Sequence, residues 1–233
     1  MKKHFLITFC ILSLAIMAQS QTKVACIGNS ITFGAGIANP DSLSYPAQLG
    51  KLLGDKWQVK NFGVSGSTML RHGNKPYWKQ TAMNNAISYN PDMVVIKLGT
   101  NDSKNFNWKF KDEFEQNYLD MIDTLQALPS HPRILICFPV PAYGNQWAIN
   151  DSVIFNEIIP IVKQVALKRN LTTIDLYTAL SNFPHLFPDK IHPNYLGAAL
   201  IAFTVSKSIK KEVKLMKKEK RKQKSKTKNK RNE

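Results

Sequence analysis

A serine hydroxyl attacks a carbonyl carbon only when a base takes its proton, and the base needs a third group to hold its ring. Ser30, His192 and Asp189 have the side chains for those three roles. Ser30 follows an apolar run that ends at Gly28 and precedes a predicted helical turn. Its hydroxyl can project there, while its own N–H points toward developing negative charge. Asp189 stands three residues before His192. On a turn, that spacing lets the carboxylate accept from one ring nitrogen and fix the tautomer. Pro193 restricts the backbone of His192. Acyl transfer also needs preorganised donors where the oxyanion forms. The Gly66 N–H and the Asn101 side-chain amide are the candidates, beside the N–H of Ser30. Gly66 has no side chain to obstruct a close approach of its backbone to a substrate.

These residues can act together only if the fold brings four segments to one place. Short apolar runs alternate with helical patterns along the chain, the signature of a parallel sheet covered by helices. Strands are predicted at Lys23 to Ile27, Trp57 to Phe62, Met93 to Leu98, Arg133 to Phe138 and Thr172 to Leu176. Helices are predicted at Tyr45 to Leu53, Trp78 to Tyr89, Lys111 to Leu128, from a cap at Asn150 or Asp151 to Arg169, and Asn194 to Lys214. Pro160 should kink or restart the fourth of these. In such sheets ligands bind beyond the carboxyl ends of the strands. The segments GNSITFG, GVSGSTM and GTNDSK follow the first three strands, so they should meet on one edge, and DKIHPN can join them from the start of the closing helix.

GNSIT at 28 to 32, NFGVSGST at 61 to 68, GTND at 99 to 102 and DKIHP at 189 to 193 resemble, in order, the four motif blocks of the SGNH (GDSL-like) hydrolase superfamily. The resemblance spans nearly the whole domain and implies a three-layer α/β/α sandwich, flavodoxin-like, with a five-stranded parallel sheet. It implies Ser30 as nucleophile, Gly66 and Asn101 as oxyanion-hole groups and His192 as base. It also implies no metal and no other cofactor, and no metal-ligand spacing is evident in the sequence. One departure is Asn29, where the first block usually carries Asp. That acid is not the proton-transfer partner, so little catalysis should be lost. Gly63-Val64-Ser65-Gly66-Ser67 lacks the final glycine of an α/β-hydrolase elbow, which leaves Ser65 a minor alternative nucleophile. The stretch from Lys23 to Asn101 looks like secreted bacterial carbohydrate acetylesterases, including sialate O-acetylesterase domains. Hydrolysis of a small acyl ester, foremost O-acetyl, on a glycan is the expected activity. A lysophospholipase or thioesterase of the same fold is one rival, and an inactive glycan-binding surface protein is another. Trp78 and Trp147, close to the motif loops, are candidate substrate contacts, and Asp102 is expected to brace the loop that carries Asn101.

The chain ends bound the setting. Lys2 and Lys3 precede an apolar run from Phe5 to Met17, too short for the roughly 20 residues that cross a bilayer, and Ala18-Gln19-Ser20 offers a cleavage site. Residues 1–20 therefore read as a signal peptide, which implies export to the periplasm or beyond and no membrane span after cleavage. Residues 21–214 form the single hydrolase domain. From Lys207 onward there are 14 Lys or Arg against 3 Glu, so the preceding 206 residues carry only +5 of the chain's +16. Residues 215–233 have no apolar side chain after Met216, which predicts a disordered basic tail. Its charge suits an anionic polysaccharide or lipid surface, and export disfavours nucleic acid as a partner. Cys26 and Cys137 each fall in a strand and are expected as free buried thiols.

Overall fold

The structure, a computed structural model, describes residues 21–229. The expected signal peptide and the last four residues lie outside that range. Five strands, β1 (Thr22–Gly28), β2 (Trp57–Gly63), β3 (Met93–Lys97), β4 (Arg133–Cys137) and β5 (Thr172–Ile174), form one parallel sheet in the order β2-β1-β3-β4-β5. That is the flavodoxin-like order, in which the winding reverses between β1 and β3 while every strand stays parallel.

Strand side chains alternate between two faces, and the two cores follow that period. Ala25, Ile27, Val94, Ile96, Ile134 and Ile136 pack on one side with Met83, Tyr118, Ile122 and Val162. They meet the helices Thr81–Tyr89, Phe114–Gln126 and Ile159–Arg169. Val24, Cys26, Val95, Leu135 and Cys137 face the other way, against Tyr45, Leu49, Leu176, Ile201 and Val205. The helices Tyr45–Leu53, Leu176–Leu180 and Tyr195–Asn229 supply that layer. A three-layer sandwich results. Cys26 and Cys137 are free and buried within it.

One helix follows the sequence expectation and another departs from it. The fourth helix restarts at Pro160: a π turn at Ile154–Ile158 connects Asp151–Val153 to Ile159–Arg169, so the proline falls in the first turn of the last segment. There its missing N–H costs no helical hydrogen bond. The closing helix, expected to end near Lys214, continues through the stretch expected to be disordered, as far as Asn229. Lys, Arg, Gln and Glu are good helix formers and extend a helix that is already nucleated. Its docked half is tied down by Glu212, which is 5% exposed, pairs with Arg133 at 2.8 Å and accepts from the Thr172 hydroxyl at 2.6 Å. Among the described residues no helix is long and apolar enough to cross a membrane.

The interior holds an unpaired ammonium. Lys97 at the end of β3 is fully buried and its Nζ has no hydrogen-bond partner. Burial pulls its pKa down to about 8, against a smaller opposing pull from Cys137. An unfolded lysine titrates near 10.4, so between about pH 8 and 10.4 the unfolded chain holds a proton that the folded chain has released. Stability should therefore rise with pH across that window, and the deficit is greatest below it. Lys97→Met is expected to be more stable than the parent at pH 7 by about 1 to 3 kcal/mol and to lose this rise. Urea unfolding at pH 7 and pH 9.5 checks it, and parallel pH slopes for both proteins would refute the assignment.

Candidate active site

The carboxyl ends of β1, β2 and β3 lie side by side because β1 pairs with both neighbours in register. The segments that follow them converge. The ladder is extended one step beyond the strands by the Val64 N–H, which donates to the Gly28 carbonyl at 2.9 Å. A Cβ added to Gly63 would lie 2.1 Å from the Phe33 nitrogen, so only glycine lets these segments approach so closely.

Ser30 opens a one-turn helix, Ser30–Phe33, whose N-cap is Asn29. The Asn29 Oδ1 accepts from the Ile31 N–H at 3.1 Å. Capping needs only an acceptor, so Asn supplies what Asp would supply here. Its amide Nδ2 is buried with no partner. The Ser30 N–H lies in the first turn, where helical N–H groups have no intrahelical acceptor.

His192 bridges the serine and the carboxylate. Its Nε2 lies 2.9 Å from Ser30 Oγ, and its Nδ1 lies 2.7 Å from Asp189 Oδ2. The other carboxylate oxygen, Oδ1, accepts the backbone N–H groups of His192 at 2.6 Å and Ile191 at 2.9 Å. Partial burial pushes the Asp189 pKa up, but these two N–H donors and the His192 ring outweigh it and hold the carboxyl below its ordinary range. An ionised carboxylate at Nδ1 fixes the tautomer with Nε2 free to accept from Ser30. The Tyr143 N–H ties the 189–192 loop to the chain after β4 by donating to the Lys190 carbonyl at 2.8 Å.

Gly66 adopts φ +81°, in the left-handed region open to glycine, and lines the same cavity as Asn101. The Asn101 Nδ2 donates to the Ser67 carbonyl at 3.1 Å, which fixes the amide plane while one of its two N–H bonds serves that contact. Asp102 does more than brace its own loop. Its carboxylate accepts from Met69 N–H at 3.1 Å and Leu70 N–H at 2.8 Å, so the third motif block holds the second in place. Burial raises its pKa to about 6, against the downward pull of the Leu70 and Met69 donors. Asn107 adds a second brace, donating to the Asn101 carbonyl at 2.8 Å.

These residues surround a cavity of about 220 Å³, lined by Ser30, Gly66, Asn101 and His192 together with Lys104, Trp147 and Ile149. Trp147 is 57% exposed and its ring lies 5.1 Å from that of His192. Trp147 and Ala148 both have positive φ, 55° and 61°, a strained pair of non-glycine residues at the cavity mouth. Trp78 does not join them. Its ring lies beneath Arg71 at 3.9 Å and packs against the core, so nearness in sequence to the second block misplaced it. Ile149 carries no motif signal, and Lys104 closes the GTNDSK segment without a predicted role. A broader cleft of about 840 Å³ adjoins the cavity across Ile149, lined by Asn105, Asn145, Asn150 and Asp151.

A flavodoxin-like sheet with these four blocks at its carboxyl edge is the architecture of the SGNH class. The chain belongs to the GDSL-like Lipase/Acylhydrolase family, whose model matches residues 26–200. It is 45% identical over 206 residues to an acetylxylan esterase of Xylanibacter ruminicola, a match covering 81% of this chain and 43% of that protein. The chain thus spans less than half of that relative. In fold it is similar to Est24, a carbohydrate acetylesterase from Sinorhizobium meliloti, with TM-score 0.68, 18% identity and coverage of 81% of this chain and 98% of the other. A lipase/acylhydrolase from Enterococcus faecalis gives TM-score 0.68 at 24% identity, covering 82% and 97%.

The Asp102 brace generates a stability expectation. Asn at that position keeps the shape but turns one acceptor into a donor facing an N–H. Asp102→Asn should destabilise the fold by about 1 to 3 kcal/mol, the cost of unsatisfied buried donors. Chemical denaturation measures it, and a loss under about 0.5 kcal/mol would remove Asp102 from this role.

Proposed function

We propose that the domain is a serine esterase that removes small acyl groups, foremost acetyl, from carbohydrate through an acyl-enzyme. The observation that carries this reading is the unbroken series Ser30 Oγ, His192 Nε2, His192 Nδ1 and Asp189 Oδ2, with separations of 2.9 and 2.7 Å. His192 takes the Ser30 proton as Oγ bonds to the ester carbon. The carbonyl oxygen becomes an oxyanion facing the N–H groups of Ser30 and Gly66 and the amide of Asn101. His192 then protonates the departing sugar hydroxyl as the C–O bond breaks. Water attacks the acyl-enzyme with His192 again as base, releasing the carboxylic acid and restoring Ser30.

The small cavity supports a short acyl group, and the names of the acetylxylan esterase and carbohydrate acetylesterase relatives support a glycan alcohol. The exposed Trp147 ring beside His192 supports a stacking contact with a sugar ring. Export, suggested by the first 20 residues, would put the enzyme where polymeric glycans are, with the basic end of the closing helix against an anionic polysaccharide or lipid surface.

Ser30→Ala should lower kcat on 4-nitrophenyl acetate by on the order of 10⁴ or more. Asn101→Ala should lower it by about 10² to 10³. Rates should fall as the acyl chain lengthens from acetate to decanoate. A Ser30→Ala protein that keeps more than about a hundredth of the parent rate would end the nucleophile assignment, and a preference for decanoate would favour a lysophospholipase.

A further inference from the structure

Lys104 has no part in the chemistry above, yet it lines the cavity that holds Ser30 and His192. It is only 9% exposed, and its ammonium makes no hydrogen bond or ion pair among the described residues. Its Nζ lies 5.9 Å from the centroid of the Phe106 ring. Burying an ammonium is costly unless it is paired, and Lys104, unlike the enclosed Lys97, lines a cavity that can admit a partner. Among the residues that line the cavity there is no carboxylate.

The acids close by are already engaged. Asp102, whose charge acts on Lys104, is fully buried and accepts from Met69 and Leu70. Asp189 is held by His192 and Ile191. Asp151, in the adjoining cleft, accepts from the Ala142 N–H and the Tyr177 hydroxyl. A second ammonium stands near the rim, since Lys75 donates to the Ser65 carbonyl at 3.0 Å and its Cδ lies 3.5 Å from where a Gly66 Cβ would be. Two ammonium groups therefore stand in or beside a cavity whose lining holds no carboxylate, and water exclusion by bound substrate would strengthen their field. Desolvation lowers the Lys104 pKa and Asp102 opposes it, the condition of an ammonium that gains from a new anionic partner.

We propose that Lys104 makes this site selective for esters that carry a carboxylate near the scissile group, so that the preferred substrates are acidic. The inference rests on the esterase reading above. The carboxylate could belong to the alcohol, as in an acetylated uronic acid, or to the acyl group, as in a hemisuccinate. Both would place an anion against the same ammonium.

The test compares four probes with the whole protein: O-acetylated methyl glucoside against O-acetylated methyl glucuronide, and 4-nitrophenyl acetate against 4-nitrophenyl hemisuccinate. At low salt the acidic member of one pair should have the higher kcat/KM, by about tenfold, and the pair that shows it identifies the source of the carboxylate. That ratio should fall about tenfold in Lys104→Met, recover in Lys104→Arg, and shrink in the parent as sodium chloride is raised. A ratio that is the same in parent and Lys104→Met would overturn the inference, as would equal loss on both members of each pair. If Lys104→Met does not fold, calorimetric binding of both glycosides and both 4-nitrophenyl esters to Ser30→Ala decides, with equal affinities within each pair overturning it. No turnover of any probe would instead count against the esterase reading, while turnover without acid preference counts against Lys104 alone.

Discussion

Everything at the candidate site depends on β1 lying between β2 and β3 with all three strands parallel. Parallel pairing puts three carboxyl ends on one edge, and the reversal of winding between β1 and β3 opens a crevice there. The residues after β1 carry Ser30, those after β2 carry Gly66, and those after β3 carry Asn101. No loop has to travel to reach the others. What remains is to hold three short segments at fixed separations, and backbone groups do most of that. The Val64 N–H meets the Gly28 carbonyl, the Asp102 carboxylate meets Met69 and Leu70, and Asn107 meets Asn101.

His192 arrives from elsewhere in the chain. The closing helix starts at Tyr195 and packs against the helix Tyr45–Leu53 through Ala198, Ile201 and Val205, which fixes the end from which the loop extends. Asp189 then serves twice, with one oxygen tying down the loop backbone and the other orienting the imidazole. Folding the loop and aligning the ring are one event. The burial of Glu212 against Arg133 and Thr172 secures the far part of the same helix, so a contact remote from Ser30 belongs to the structure that positions His192.

Much of this was legible in the sequence because period-2 alternation and glycine-bearing ends of strands are local signals. All five strands and the helix Tyr45–Leu53 stand where the pattern put them, within a residue or two. Ser30, Gly66, Asn101, Asp189 and His192 were each visible through residue type and motif order, and they do meet. What local signals miss is direction in space. Trp78 was placed by proximity to a motif, but its ring turns toward Arg71 and the core. Lys104 lies in the GTNDSK segment, but nothing in a lysine five residues after Gly99 reveals that it will be walled in. The tail was judged by its lack of apolar residues, which bears on core formation and not on whether a docked helix keeps propagating.

The central claim is that Ser30 is made nucleophilic by His192, which Asp189 orients. Reaction of the protein with a fluorophosphonate ester, followed by mass spectrometry of the digested protein, tests it most directly. The account predicts one adduct per chain, on the peptide containing Ser30, formed at least about a hundredfold more slowly in His192→Ala. An adduct on Ser65, or labelling of Ser30 at an unchanged rate without His192, would contradict it.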